Sequence, residues 1–279
     1  MDLGLRDRVY LVTGGSRGLG FAAAQALVAD GARVLLSAPH EATASSAAAR
    51  LAPDATADVA AWIVADNADP ATPGRLIAAA RDRFGRLDGA LISVGGSPPG
   101  TVAATTDEAW RSAFESVFLG AVRLARVLAA DLASQSEDGA ATGATTGGGG
   151  SIVYMTSTTV KQPTQYLNLI LSNAIRSAVQ GMAKTLSSDL AKDGVRVNCI
   201  QPGRISTERI EQLDSDTAKR QNTTPDAIRA HYEKNVIPMG RYGKPEEFAA
   251  AVVFIASPKA SYITGTSLQI DGGMLMSMF

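Results

Sequence analysis

Short apolar runs alternate with helical stretches along the whole chain, and no other feature narrows the fold as much. Val9-Tyr10-Leu11-Val12-Thr13 is an apolar run that stops at glycines, which reads as a buried strand. A helical stretch over 17–31 follows and ends at Gly31. Further strands are expected at 32–38, 60–66, 87–96, 151–157, 195–203 and 267–271. Helices are expected at 40–52, at 72–85 with Pro73 near the start, at 107–133, and over the stretch that carries SNAIR at 172–176. This alternation implies an α/β fold: a seven-stranded parallel sheet with helices on both faces, doubly wound in three layers. Right-handed crossovers then bring the C-terminal ends of the strands to one edge, where ligands bind.

With 279 residues and 46% hydrophobic content, the chain is expected to bury one full core as a single domain over 1–279. A formal net charge of −1 leaves no global field for nucleic acid or anionic lipid. Cys199 is the single cysteine, so no intramolecular disulfide is possible, which fits a reducing compartment. No apolar run approaches the roughly 20 residues that span a bilayer. The N-terminus enters a strand almost at once, so the expectation is a soluble, cytoplasmic protein without a signal peptide or membrane partner. Two segments break the rhythm. Residues 134–150, SQSEDGAATGATTGGGG, are small, polar and glycine-rich, and are expected to form a flexible surface loop. Residues 204–247 are charged, follow a strand end, and can cover the binding edge as a lid.

Gly14, Gly18 and Gly20 lie between the first strand and the first helix with the spacing G-x-x-x-G-x-G. Such a turn needs residues without Cβ, and N–H groups at the helix start can hold a diphosphate. The loop TGGSRGLG (13–20) resembles the cofactor loop of the short-chain dehydrogenase/reductase family. Matching motifs run the length of the chain: Asp66 after the third strand, Gly95-Gly96 after the fourth, Ser157 after the fifth, Pro202-Gly203 after the sixth, and YITGTSLQIDGG at 262–273. Within the family the chain is most similar to bacterial 3-oxoacyl-carrier-protein-reductase-like members. The resemblance implies a Rossmann-type fold and a nicotinamide cofactor. It places Gly14, Ser16, Arg17, Gly18, Leu19, Gly20, Asp66, Asn67, Gly95, Arg176, Pro202, Gly203 and Ile205 in the cofactor site.

An acid at the end of the second strand binds the ribose of NAD, whereas an arginine accommodates the 2′-phosphate of NADP. Here that strand ends Ser37-Ala38-Pro39-His40, without an acid. Arg17 in the glycine loop is the remaining cation, with His40 a weaker candidate, so NADP(H) is expected over NAD(H).

The family carries a serine after the fifth strand and then Y-x-x-x-K on the next helix. Ser157 matches the serine. Counting back from GMAKTL (181–186), Arg176 stands at the lysine and Ser172 at the tyrosine, so the pattern becomes S-x-x-x-R. The Ser157–Ser172 interval is longer than usual, which implies a short insertion in TTVKQPTQYLN. The family's asparagine on the preceding helix is also missing, with Ser116 or Phe118 offered instead. Ser172 and Arg176, four apart, share a helix face. Arginine keeps the charge and offers a fork of donors, but an aliphatic hydroxyl cannot be pulled toward neutrality as a phenol can. Ser172 can still polarise a carbonyl by donating a hydrogen bond. Tyr166, in the loop ahead of the helix, is a further candidate acid. Tyr154 and Cys199 read as packed residues and His231 as a solvated lid residue. With two histidines and one cysteine, no metal site is expected.

Three functions fit these residues. One is an NADP(H)-dependent oxidoreductase acting on a small-molecule carbonyl or alcohol with an altered acid. Another is a non-redox dehydratase, cyclase or isomerase on the same scaffold. The third is a nucleotide-binding protein without chemistry. The resemblance also implies a homodimer or homotetramer paired through the helices near 107–133 and 172–191.

Overall fold

The structure is a computed structural model that describes residues 1–52, 58–93, 95–141, 149–164 and 167–277. Seven strands form the sheet: β1 Val9–Thr13, β2 Arg33–Ala38, β3 Ala60–Val64, β4 Gly89–Ile92, β5 Ser151–Met155, β6 Arg196–Pro202 and β7 Ser267–Ile270. Their order is β3-β2-β1-β4-β5-β6-β7, and every pairing is parallel. The order reverses between β1 and β4, so a crevice opens where their C-terminal ends part.

Side-chain alternation along β1 divides the core in two. Val9 and Leu11 join one apolar layer, while Tyr10 and Val12 join the other. The first layer packs against α3 Thr72–Phe84, α5 Gly120–Ala141 and α6 Ile170–Asp189 through Leu76, Leu128 and Ile175. The second packs against α1 Gly18–Ala29, α2 Glu41–Leu51 and α9 Pro245–Ala256 through Leu27, Ala47 and Phe248. This is the expected three-layer, doubly wound arrangement. No helix of the described residues is long and apolar enough to cross a membrane.

Two expectations need correction. The stretch expected as one helix over 107–133 is split: α4 Asp107–Ala113 passes into a π-helical turn, Phe114–Leu119, before α5 begins. Such turns insert an extra residue into the ladder and often mark functional sites. In addition, α5 runs to Ala141, through residues expected to belong to the 134–150 loop. A helix already anchored by Leu124, Leu128 and Leu132 propagates through Ser-Gln-Ser-Glu at small cost per residue. Residues 142–148 of that expected loop lie outside the described residues.

After β6 the chain forms α7 Glu208–Gln221 and α8 Pro225–Asn235. Thr207 and Thr224 cap them, each side chain accepting a backbone N–H in the first turn. The pair encloses a small core of its own around Ala218, Ile228, Tyr232, Ile237 and Tyr242.

Candidate functional site

The glycine loop sits at the C-terminal end of β1. Gly18 has φ +56°, a left-handed conformation that favours glycine, and a Cβ there would meet nothing within 4 Å. Gly20 is needed for a different reason: a Cβ on it would lie 2.5 Å from Gly14 O. The Thr13 hydroxyl donates to Ser93 O at 2.8 Å and accepts from Ser93 N at 3.0 Å, which ties the ends of β1 and β4 together. The N-cap residue of α1, Arg17, makes no capping bond with its side chain. The first-turn N–H groups of the helix and the open space over Gly18 therefore fit an anion such as the diphosphate of a dinucleotide. Ser16 and Leu19 are half-buried, and Arg17 is exposed, with Nη1 3.7 Å from a Glu208 carboxylate oxygen on α7.

A cleft of about 360 Å³ extends from this loop along the sheet edge. Gly14, Asp66, Asn67 and Gly95, all named from the sequence, line it, with Ser37 and Pro39 from the end of β2. Gly96, Ser97, Ser112 and Ser116 also line it. The Asp66 carboxylate accepts from Ala68 N at 2.9 Å, which shapes the turn after β3 and leaves its second oxygen for a ligand. Ser116 donates to Ser112 O at 2.8 Å, so this hydroxyl of the π-helical turn bonds its own helix.

Ser157, Ser172 and Arg176 do not line that cleft; they gather at the end of β5. Ser157 Oγ accepts from Thr159 N at 3.2 Å, capping a short 3₁₀ turn, and lies 2.9 Å from Thr159 Oγ1. On α6, Arg176 Nε donates to Ser172 Oγ at 3.3 Å, and Nη1 donates to Met155 O at 2.8 Å. Burial, and then the charge of Arg209, push the Arg176 guanidinium down to about 10, so it remains a cation at neutral pH. Pro202 and Gly203 close β6, half-buried, whereas Ile205 turns its side chain into the core, which leaves only its backbone for the site. Tyr166 lies outside the described residues. Tyr154 is packed within β5 with its hydroxyl lacking a partner among the described residues, and burial pushes that phenol upward. Burial pushes the Cys199 thiol up to about 12, as befits a core residue. Among the described residues no three His, Cys, Asp or Glu side chains cluster as metal ligands.

Sequence reasoning missed Arg209. From α7 its Nη2 donates to Ser97 O at 3.0 Å, reaching across to the loop after β4. Its only signal was a position shortly after the Pro202-Gly203 turn, in the segment expected to cover the edge.

A family model described as "Enoyl-(Acyl carrier protein) reductase" matches residues 14–275. The chain belongs to the short-chain dehydrogenase/reductase family, whose members are NAD(P)-dependent oxidoreductases acting on alcohols and carbonyls. An uncharacterized oxidoreductase of Mycobacterium tuberculosis is 31% identical over 97% of this chain and 93% of its own length. The 3-oxoacyl-[acyl-carrier-protein] reductase of Synechocystis is 29% identical over 98% of each. Among solved structures, L-sorbose reductase from Gluconobacter frateurii, complexed with NADPH and L-sorbose, superposes with a TM-score of 0.88. That protein is 28% identical, with all of both chains covered.

Proposed function

We propose that the chain interconverts a carbonyl and an alcohol with NADP(H), using Ser172 and Arg176 where the family carries tyrosine and lysine. One observation carries this reading: Arg176 Nε donates to Ser172 Oγ. The serine thereby spends an acceptor position on the guanidinium and keeps its own proton to donate. A cation at 3.3 Å also polarises that hydroxyl. Ser172 then hydrogen-bonds the substrate oxygen and stabilises the charge that develops there, without becoming a full proton donor. Ser157, held by the Thr159 N–H, orients the same oxygen.

The cofactor, when bound, supplies or accepts the hydride. Gly14 to Gly20 hold its diphosphate, Asp66 its adenine, and the Arg176 fork its ribose hydroxyls. NADP(H) is favoured because the end of β2 offers Ser37 and Pro39 rather than an acid, with exposed Arg17 beside the loop. The reductase neighbour complexed with NADPH supports the same choice. The α7–α8 segment acts as the lid, which keeps water from the reacting carbonyl.

Calorimetric titration with NADPH and NADH tests this reading. NADPH is expected to bind at least about tenfold more tightly than NADH. Arg176→Ala is expected to weaken NADPH about tenfold, about 1.4 kcal/mol, and Arg176→Lys is expected to restore most of that loss. Binding of neither nucleotide would sink the oxidoreductase reading. Ser172→Ala is expected to lower carbonyl turnover about tenfold or more while leaving NADPH affinity within about twofold. Undiminished turnover in that variant would remove Ser172 from the mechanism.

A further inference from the structure

Two threonines follow Ser157, and their hydroxyls have different partners. Thr158 Oγ1 donates to Pro202 O at 3.3 Å, which fastens the turn after β5 to the end of β6. Thr159 Oγ1 lies 2.9 Å from Ser157 Oγ, and no other hydrogen bond of that hydroxyl occurs among the described residues. The short 3₁₀ turn holds the pair in place: Ser157 enters it with extended backbone, and Val160 N donates to Ser157 O at 3.2 Å. Thr159 is 7% exposed, whereas Ser157 is half-buried.

At 2.9 Å either hydroxyl can donate to the other, and burial decides the direction. A buried hydroxyl proton without an acceptor is costly. The Thr159 proton has Ser157 Oγ as its one acceptor among the described residues. If Ser157 donated instead, the Thr159 proton would be stranded inside the packed turn. Half-buried Ser157 faces no such constraint, because its proton can reach water or a ligand. A serine hydroxyl carries one proton and two acceptor positions. Thr159 N takes one of those positions at 3.2 Å. The Thr159 hydroxyl takes the second, so the Ser157 proton points out of the turn. Ser172 is furnished in a similar way, with Arg176 Nε donating to its oxygen at 3.3 Å. Hydrogen bonds in a chain polarise one another, so a hydroxyl that accepts becomes a better donor.

We propose that Thr159 is a positioning residue for carbonyl reduction: its hydroxyl donates to Ser157 Oγ and so directs the Ser157 proton at the substrate oxygen. This deepens the reductase reading and rests on it for the presence of that oxygen. Thr159 acts through Ser157 and not on the substrate itself. A carbonyl oxygen offers only acceptor positions, so a serine whose proton is committed inside the turn could not bind it. With the proton directed outward, the same serine stabilises the charge that develops on that oxygen.

Neutron diffraction from deuterium-exchanged crystals of the full-length protein reads the direction of the bond. The Thr159 deuteron is expected on the line to Ser157 Oγ, with the Ser157 deuteron turned away from Thr159. A Ser157 deuteron on that line would overturn the proposal. Two variants separate the hydroxyl from packing, with NADPH-dependent reduction of ethyl acetoacetate as the assay. Thr159→Val keeps the branched shape and loses the hydroxyl, and is expected to lower kcat about fivefold or more with NADPH affinity within about twofold. Thr159→Ser keeps the hydroxyl and loses the methyl, and is expected to hold kcat within about twofold of wild type. The opposite order, equal kcat in all three proteins, or equal losses in the two variants would each overturn the positioning role. A wild type with the expected deuterons that leaves the ester unreduced would preserve the Thr159–Ser157 bond and count against the reductase reading. Reduction of the ester with the Ser157 deuteron directed at Thr159 would uphold that reading and overturn the role of Thr159.

Discussion

Gly18→Ala is expected to weaken NADPH binding about 100-fold, about 2.7 kcal/mol, in a protein that still folds. At φ +56° the added Cβ strains the backbone by about 1–2 kcal/mol. It meets no protein atom within 4 Å, so the packing around it is undisturbed. The new methyl group occupies the open space at the start of α1, where the diphosphate is to lie. Gly20→Ala is expected to behave differently, because its Cβ would fall 2.5 Å from Gly14 O and 3.2 Å from Gly14 C. That clash is with backbone, so the loop must move, and both the melting temperature and the NADPH affinity drop together. Calorimetry and thermal melting on the two variants separate a filled cradle from a broken loop. Wild-type affinity in Gly18→Ala would take the loop out of the cofactor site.

The seven strands, the helices α1, α2, α3 and α6, and the glycine loop were legible in sequence because each is written in short-range periodicity or spacing, whereas α9, Pro245–Ala256, was not read from it. Val9 to Thr13 and Arg196 to Pro202 are apolar runs whatever lies beside them. The four-residue spacing of Ser172 and Arg176 likewise put both on one face, and the 3.3 Å bond between them agrees. What sequence could not supply was anything decided by tertiary contact. Arg209 meets Ser97 across 112 residues of chain, and no local pattern marks it as different from other charged lid residues. The π-helical turn at Phe114–Leu119 reads as ordinary helix, since its apolar spacing serves either ladder. The low-complexity stretch after residue 134 was read from composition alone, which missed that a packed helix can extend into weak formers. Ile205 illustrates the converse: a family position suggested a cofactor contact, while the structure buries its side chain in the same core layer that holds Val12, Leu36 and Phe248.

The largest stability effect is expected at Asp214, inside the lid. Arg204 Nη1 donates to its carboxylate at 2.6 Å, and the Tyr242 hydroxyl donates to the other oxygen at 2.9 Å. The Arg204 guanidinium also lies 3.7 Å from the centre of the Tyr232 ring. The Arg204 and Asp214 side chains are only 3% and 7% exposed, so water cannot take the place of a lost partner. Removing one member of a buried pair leaves the other charge stranded, and Asp214→Ala is expected to cost about 3–5 kcal/mol. Asp214→Asn keeps the shape and an acceptor for Tyr242 but loses the charge, so it should fall between the alanine variant and wild type. Glu108→Ala, at the exposed Arg111–Glu108 pair, is the comparison and is expected to cost less than about 1 kcal/mol. The damage should be local. Ala218, Ile228, Tyr232, Ile237 and Tyr242 form a cluster separate from the two sheet layers, so hydrogen exchange should accelerate in α7 and α8 before it does in β1, β4 or β5. Equal melting of Asp214→Ala and wild type would show that the Arg204 charge finds another partner, and the lid would then need a different internal anchor.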